Sequence, residues 1–224
     1  MTLKDMLNQV MAETGFKQQS QYFSSTKNEA RQLTALANRE VNVLANDDWE
    51  VLRKQHALVM TAATTYALPS DFRQFTPDTA WTNTRRVDFP TDASDWYYYT
   101  ASGITAGLRI RMRLAAGQIE IQNPQPGQTV YIQYISNYPV IGDGYVFKQK
   151  FTADDDALLL NDDLFMLGVI WRFMKVKGLD WKQPYSEYRA MYRSEKGTDS
   201  GAQTIQTGEI DYAGPYPPMA NLWL

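Results

Sequence analysis

Apolar residues recur along this chain at two different periods, and the order in which those periods succeed one another leaves few folds open. Behind Thr2, the residues Leu3, Met6, Leu7, Val10 and Met11 are spaced three and four apart and stop at Gly15, which predicts a short amphipathic helix. After a polar loop from Gln18 to Ser25, Thr26 and Glu29 stand at capping-box spacing. Ala30, Leu33, Leu36, Ala37, Val41 and Leu44 then share one face of a longer helix that ends near Asn46-Asp47-Asp48.

From there the period falls to two. His56 to Thr61 reads as a strand, and Tyr66 to Phe72 as an extended segment closing in a turn, because Leu68 precedes Pro69. Leu108, Ile110, Met112 and Leu114 alternate with Arg109, Arg111 and Arg113, and Gln118 to Gln122 alternates in the same way. A turn at Ala115-Ala116-Gly117 pairs these two strands as an antiparallel hairpin, with Ile110 opposite Ile121 and Arg111 opposite Glu120. Val130, Ile132 and Tyr134 mark a further strand, closed by Pro139 and Gly142.

The helical period returns after residue 150. Asn161 or Asp162 caps a helix carrying Leu164, Leu167, Ile170, Trp171 and Met174, with Lys175 and Lys177 in its last turn and Gly178 beyond. Asp180 opens another, with Pro184 in its first turn and Tyr185, Tyr188, Met191 and Tyr192 ahead of Gly197. The expected class is therefore α+β. Helices from 1–50 and 150–196 form one antiparallel bundle, 51–149 is a β-rich insertion, and 197–224 is an extended C-terminal tail.

Composition removes several chemistries. Cysteine is absent, which excludes disulfides, thiol catalysis and Cys-based zinc sites, and the single histidine, His56, leaves little for a transition metal to bind. No cofactor or metal is expected. A net charge of −3 argues against bulk capture of nucleic acid. No apolar run approaches the roughly 20 residues of a membrane-spanning helix, and the first residues lack a secretion-signal pattern. Fourteen Tyr and six Trp are side chains of the kind enriched at protein interfaces, which directs attention to contacts with other subunits.

Among residues able to carry chemistry, Asp154-Asp155-Asp156 and Asp162-Asp163 are the densest carboxylates. They precede predicted elements where anions satisfy free N–H groups, a structural duty. His56 alternates with apolar neighbours and has no triad context, so it reads as a half-buried structural residue. Arg109, Arg111 and Arg113 stand about 7 Å apart on one strand face. That spacing suits phosphates lining a channel or carboxylates of a neighbouring subunit; a solvated face partly neutralised by Glu120 is the commoner outcome. The C-terminal segment is the most unusual stretch. Tyr212, Pro215, Tyr216, Pro217, Pro218, Met219, Leu222, Trp223 and Leu224 place aromatic and apolar groups on a proline-stiffened tail suited to a partner.

Taken together, Leu68-Pro69-Ser70-Asp71, the Ile119 to Pro126 strand and turn, the Tyr134 to Pro139 strand end, Phe151 to Leu160 and the helices from Asp162 to Gly178 and Tyr185 to Tyr192 resemble the head-to-tail adaptor (connector) family of short-tailed phages, the tail tubular protein A type, over roughly residues 1–195. The resemblance implies a non-enzymatic virion protein at the head–tail junction, assembled in the host cytoplasm. It implies a homo-oligomeric ring, typically a dodecamer, between the portal protein and a tail nozzle protein, with DNA passing through the lumen unread. Two other readings stand beside it. A tail-associated cell-wall hydrolase needs a convergent carboxylate pair. A receptor- or carbohydrate-binding tail accessory protein would use Trp96, Tyr97, Tyr98 and Tyr99 to stack on sugar.

Overall fold

A computed structural model describes residues 1–101 and 109–199. Its elements run α1 (Leu3–Glu13), α2 (Asn28–Leu44), β1 (Arg53–Val59), β2 (Thr65–Ala67), β3 (Phe72–Phe75), α3 (Ala93–Ala101), β4 (Arg111–Ala115), β5 (Gln118–Gln122), β6 (Thr129–Ser136), β7 (Val140–Gly142), β8 (Val146–Lys148), β9 (Ala157–Leu158), α4 (Asp162–Val176) and α5 (Lys182–Asp199). The class is α+β, as the alternation of periods requires.

The outer helices obey their sequence signals closely. Thr2 caps α1 by accepting the Asp5 N–H at 3.3 Å, and Leu3, Met6, Leu7, Val10 and Met11 are buried. Asn161 caps α4, its side-chain oxygen accepting the N–H groups of Asp163 and Leu164 at 2.8 and 3.1 Å. Helix α2 departs from expectation: it begins at Asn28, so Thr26 lies outside it and the Thr26–Glu29 capping box does not form. The Lys27 N–H is taken instead by the Ser25 hydroxyl at 3.3 Å. Nor does α5 stop before Gly197. It continues to Asp199, whose carboxylate accepts the Glu50 N–H at 3.0 Å while Lys196 donates to the Asp48 carbonyl at 2.6 Å. These contacts outweigh the roughly 1 kcal/mol that an interior glycine costs a helix.

Helix α4 packs against α1, α2 and α5, and this explains why its buried residues are more numerous than one stripe. Leu164, Phe165, Met166, Val169, Ile170 and Phe173 are buried, with Leu167, Trp171 and Met174 partly covered at the flanks. One apolar cluster thus joins the helices before and after the β-rich middle, and it also takes in Trp49, Leu52, Val140 and Phe151. Arg73 on β3 ties the middle to this core, donating to the carbonyls of Ala45 and Asp47 at 2.7 Å, where α2 presents its negative end.

The middle has its own core, built from alternate residues of several short strands: Leu58, Phe75, Met112, Ile119, Ile121, Val130 and Ile132 among them. Three three-stranded sheets are described, in the orders β1-β6-β3, β2-β5-β4 and β8-β7-β9. The β4–β5 hairpin forms, but two residues out of the expected register. Met112 lies opposite Ile121 and Arg113 opposite Glu120, so neither the Ile110–Ile121 nor the Arg111–Glu120 pairing occurs. The cause is the turn. Ala115 pairs with Gln118, leaving a two-residue loop in which Ala116 and Gly117 have φ of +48° and +73°, the type I′ geometry whose twist matches the strands. A slip of two preserves the faces, which is why alternation alone does not detect it.

Ala116 carries a left-handed conformation that costs an alanine about 1 kcal/mol. Ala116→Asn is expected to raise stability by about 0.5–1 kcal/mol, since Asn-Gly is the preferred pair for this turn. A thermal melt followed by circular dichroism should move up by about 1–4 °C. A lower melting temperature would contradict the turn assignment.

Candidate functional site

The residues singled out for function lie in three places. Tyr212, Pro215, Tyr216, Pro217, Pro218, Met219, Leu222, Trp223 and Leu224 lie outside the described residues. Asp154 and Asp156 of the carboxylate run, and His56, are part of the scaffold. The arginines and the aromatic run are brought together on one face of the β-rich middle.

That face is assembled by α3. Its sequence, Ala-Ser-Asp-Trp-Tyr-Tyr-Tyr-Thr-Ala, has no amphipathic period, and only Trp96 is buried. Nothing in the alternation of its neighbours announces a helix here. Asp92 starts it, its carboxylate accepting the Ser94 N–H at 3.0 Å. The helix lies over the β4–β5 hairpin: Gln122 Nε2 donates to Thr100 Oγ1 at 2.6 Å, and Thr100 Oγ1 donates to the Trp96 carbonyl at 2.7 Å.

The arginine row is consequently not a solvated stripe. Arg109 is exposed and precedes β4. Arg111 is only 9% exposed, its guanidinium lying 3.6 Å from the centroid of the Tyr99 ring. Arg113 sits 4.4 Å from the Trp96 ring and pairs with Glu120 at 2.6 Å. Cation–π contact and a bidentate-capable guanidinium explain why arginine suits both positions. On the solvent side of the same helix Tyr97 and Tyr98 are 66% and 61% exposed.

A second apolar surface was not evident from the sequence. At the turn between β7 and β8, Tyr145 is 82% exposed and Val146 and Phe147 are exposed beside it. The hint lay in Gly142-Asp143-Gly144, where two glycines flank a turn residue. Trp81, Val51 and Val59 add further exposed apolar area.

The acidic residues hold the fold together. Asp156 is 1% exposed and accepts four donors: Lys148 Nζ at 2.7 Å, the N–H groups of Thr152 and Ala153 at 2.7 and 2.9 Å, and the Thr152 hydroxyl at 3.2 Å. Asp154 accepts the N–H groups of Tyr22 and Phe23 at 3.0 and 3.1 Å. The backbone carbonyls of Asp156 and Asp154 receive the Leu3 and Lys4 N–H groups that open α1, at 2.7 and 3.0 Å. Asp71 accepts from Lys54 at 2.6 Å and from the hydroxyls of Tyr134 and Ser136 at 2.8 Å. Burial pushes the Tyr134 phenol up, and the Asp71 charge adds to the effect. His56 is half-buried on β1 opposite Ile132, and burial pushes its imidazole down while the Asp71 charge partly opposes that.

Among the described residues no group of three or more His, Asp or Glu side chains is placed to hold a metal ion, and no helix is long and apolar enough to cross a membrane. The arrangement is one of bonded carboxylates and exposed aromatic surfaces, suited to binding other macromolecules. Compared with known proteins, residues 1–215 match the family model described as SU10 adaptor protein. No curated protein matches the chain.

Proposed function

We propose a function from one premise: this chain belongs to the SU10 adaptor protein family. The family is a phage adaptor family, so the protein is a structural virion component that joins other head and tail parts. Beyond that, the reading is of a head-to-tail adaptor subunit. Copies form a ring, typically of twelve, between the portal and the tail nozzle, and surround the channel through which DNA leaves the head. The helices, as an antiparallel bundle, dock on the portal. The segment 200–224 binds portal or neighbouring adaptor subunits, and the β-rich middle supplies lateral and tail-side contacts.

The observation that carries this reading is surplus apolar surface on a chain whose two cores are already closed. Tyr97 and Tyr98 on α3, and Tyr145, Val146 and Phe147 on the β7–β8 turn, remain exposed. Soluble monomers rarely leave such groups in patches, and heterologous contacts around a ring would cover them. The net charge of −3 suits a lumen past which DNA slides without sticking.

Electron microscopy of the purified protein mixed with its phage's portal should show rings seated on the portal. Because α5 runs to Asp199, deleting 200–224 removes no described residue. The truncated protein should keep its circular dichroism spectrum and melting temperature while binding the portal at least about tenfold more weakly, a loss of about 1.4 kcal/mol. Equal binding by the two forms would remove the tail from the mechanism, and isolated single particles beside the portal would remove the adaptor ring.

A further inference from the structure

Arg111 poses a charge problem that the assembly reading leaves unanswered. It is 9% exposed, and among the described residues no carboxylate forms an ion pair with it. Buried charges in proteins are normally paired, because removing an ion from water costs several kcal/mol that Coulomb attraction must offset. The next arginine on the strand shows the ordinary solution, with Arg113 held by Glu120 at 2.6 Å.

The surroundings of Arg111 form a receptacle. A hollow of about 270 Å³ opens beside it, lined also by Thr64, Tyr99, Thr100, Ile121, Gln122 and Asn123. Tyr99 covers one face of the guanidinium at 3.6 Å, so what remains for a ligand is the planar edge with its N–H donors. Gln122 is itself held by Thr100 at 2.6 Å, which stiffens the wall.

We infer that this hollow is a binding site for a single carboxylate group, received edge-on by Arg111. The fork of a guanidinium matches the two oxygens of a carboxylate in one plane. A DNA phosphate fits less well. Phosphodiester recognition draws on several convergent cations; here the neighbouring Arg113 is already neutralised by Glu120, which leaves Arg111 alone to meet an anion. The apolar wall of Ile121 and the Tyr99 ring also favours a small, singly charged group on an aliphatic stem. Such a carboxylate comes either from an Asp or Glu side chain of a second copy of this chain or from a free small molecule.

The test uses the full-length protein and acetyl-glutamyl-amide, which carries one side-chain carboxylate and no free termini. The Arg111 Nε–H resonance, assigned by its absence from Arg111→Lys, should move saturably as the probe is added. Acetyl-glutaminyl-amide, the neutral counterpart, should produce no saturable shift, and oligothymidylate at equal anion concentration should bind at least about tenfold more weakly. Tyr99→Ala, which removes the stacked ring without touching the charge, should weaken binding severalfold, and it carries the test if Arg111→Lys fails to fold. Sedimentation velocity with and without the probe separates the two sources. Dispersal of self-associated protein assigns the carboxylate to a second copy, unchanged sedimentation assigns it to a free ligand, and both support the site. No saturable shift, an equal shift with the neutral probe, or tighter binding of the oligonucleotide would overturn it.

Discussion

Replacing Arg172 with alanine is expected to cost about 3–5 kcal/mol of stability, the usual penalty for stranding one member of a buried ion pair. Against a typical total of about 5–15 kcal/mol, that brings the protein close to unfolding. The partner left behind is Glu40, fully buried on α2 and 2.5 Å from the Arg172 Nε on α4. The seam between these helices is built around that carboxylate. Gly168 lies where an added Cβ would come within 2.3 Å of Glu40 Oε1, so only glycine lets α4 approach this closely. Tyr188 on α5 completes the setting; burial, and then the Glu40 charge, pushes its phenol up. Urea denaturation should show a lower midpoint at unchanged slope. The paired replacement Glu40→Leu with Arg172→Met should recover most of the loss, because no charge then remains to strand. A single-variant penalty under about 1 kcal/mol, within the range of a surface pair, would contradict the account.

Acid should unfold the protein through Asp156, and Asp156→Asn should show it. Burial alone would raise this carboxyl, but the hydrogen bonds from Lys148 and from the Thr152 and Ala153 N–H groups outweigh burial and hold it below the ordinary carboxylate range. The sign follows from linkage. A carboxyl held lower in the folded state than in the unfolded one contributes stability above its unfolded value, about 3.9, and that contribution is lost as pH falls through the lower folded value. The wild-type protein is expected to lose stability progressively below about pH 4. Asp156→Asn should be weaker at pH 7 by about 2–3 kcal/mol, the worth of hydrogen bonds to a charged acceptor. The gap between the two proteins should narrow as pH falls below about 4 and the Asp156 carboxyl takes up its proton. Parallel stability curves from pH 7 to 2, measured by urea denaturation, would exclude this role for Asp156.

The period of the apolar residues was enough to read where α1, α2, α4 and α5 lie, because each buries a face whose spacing is written locally. Asn161 could be read as a cap for the same reason: its acceptor finds its donors two and three residues away. What escaped was set by residues distant in sequence. Glu40 carries no apolar signal on α2, and its burial depends on Arg172, on another helix, pairing with it. The hairpin slipped by two because turn geometry, not alternation, selects register.

The site was legible in composition and illegible in arrangement. Arginines and aromatics were visible, but the stacking of Tyr99 on Arg111 depends on α3, a helix with no amphipathic stripe to reveal it. Without α3, nothing in the sequence distinguishes a solvated arginine from one folded under an aromatic lid.

The closure of α1 onto the carbonyls of Asp154 and Asp156 also sets an order of events during synthesis. The groups that satisfy the opening N–H donors of α1 follow it about 150 residues later, which at 5–20 residues per second is a wait of about 8–30 s. Throughout that interval Leu3, Met6, Leu7, Val10 and Met11 have no partner surface on α4 to cover them, so the nascent chain presents a sticky helix. Chaperone engagement in the host is therefore expected to concentrate on α1 and to end as α4 emerges.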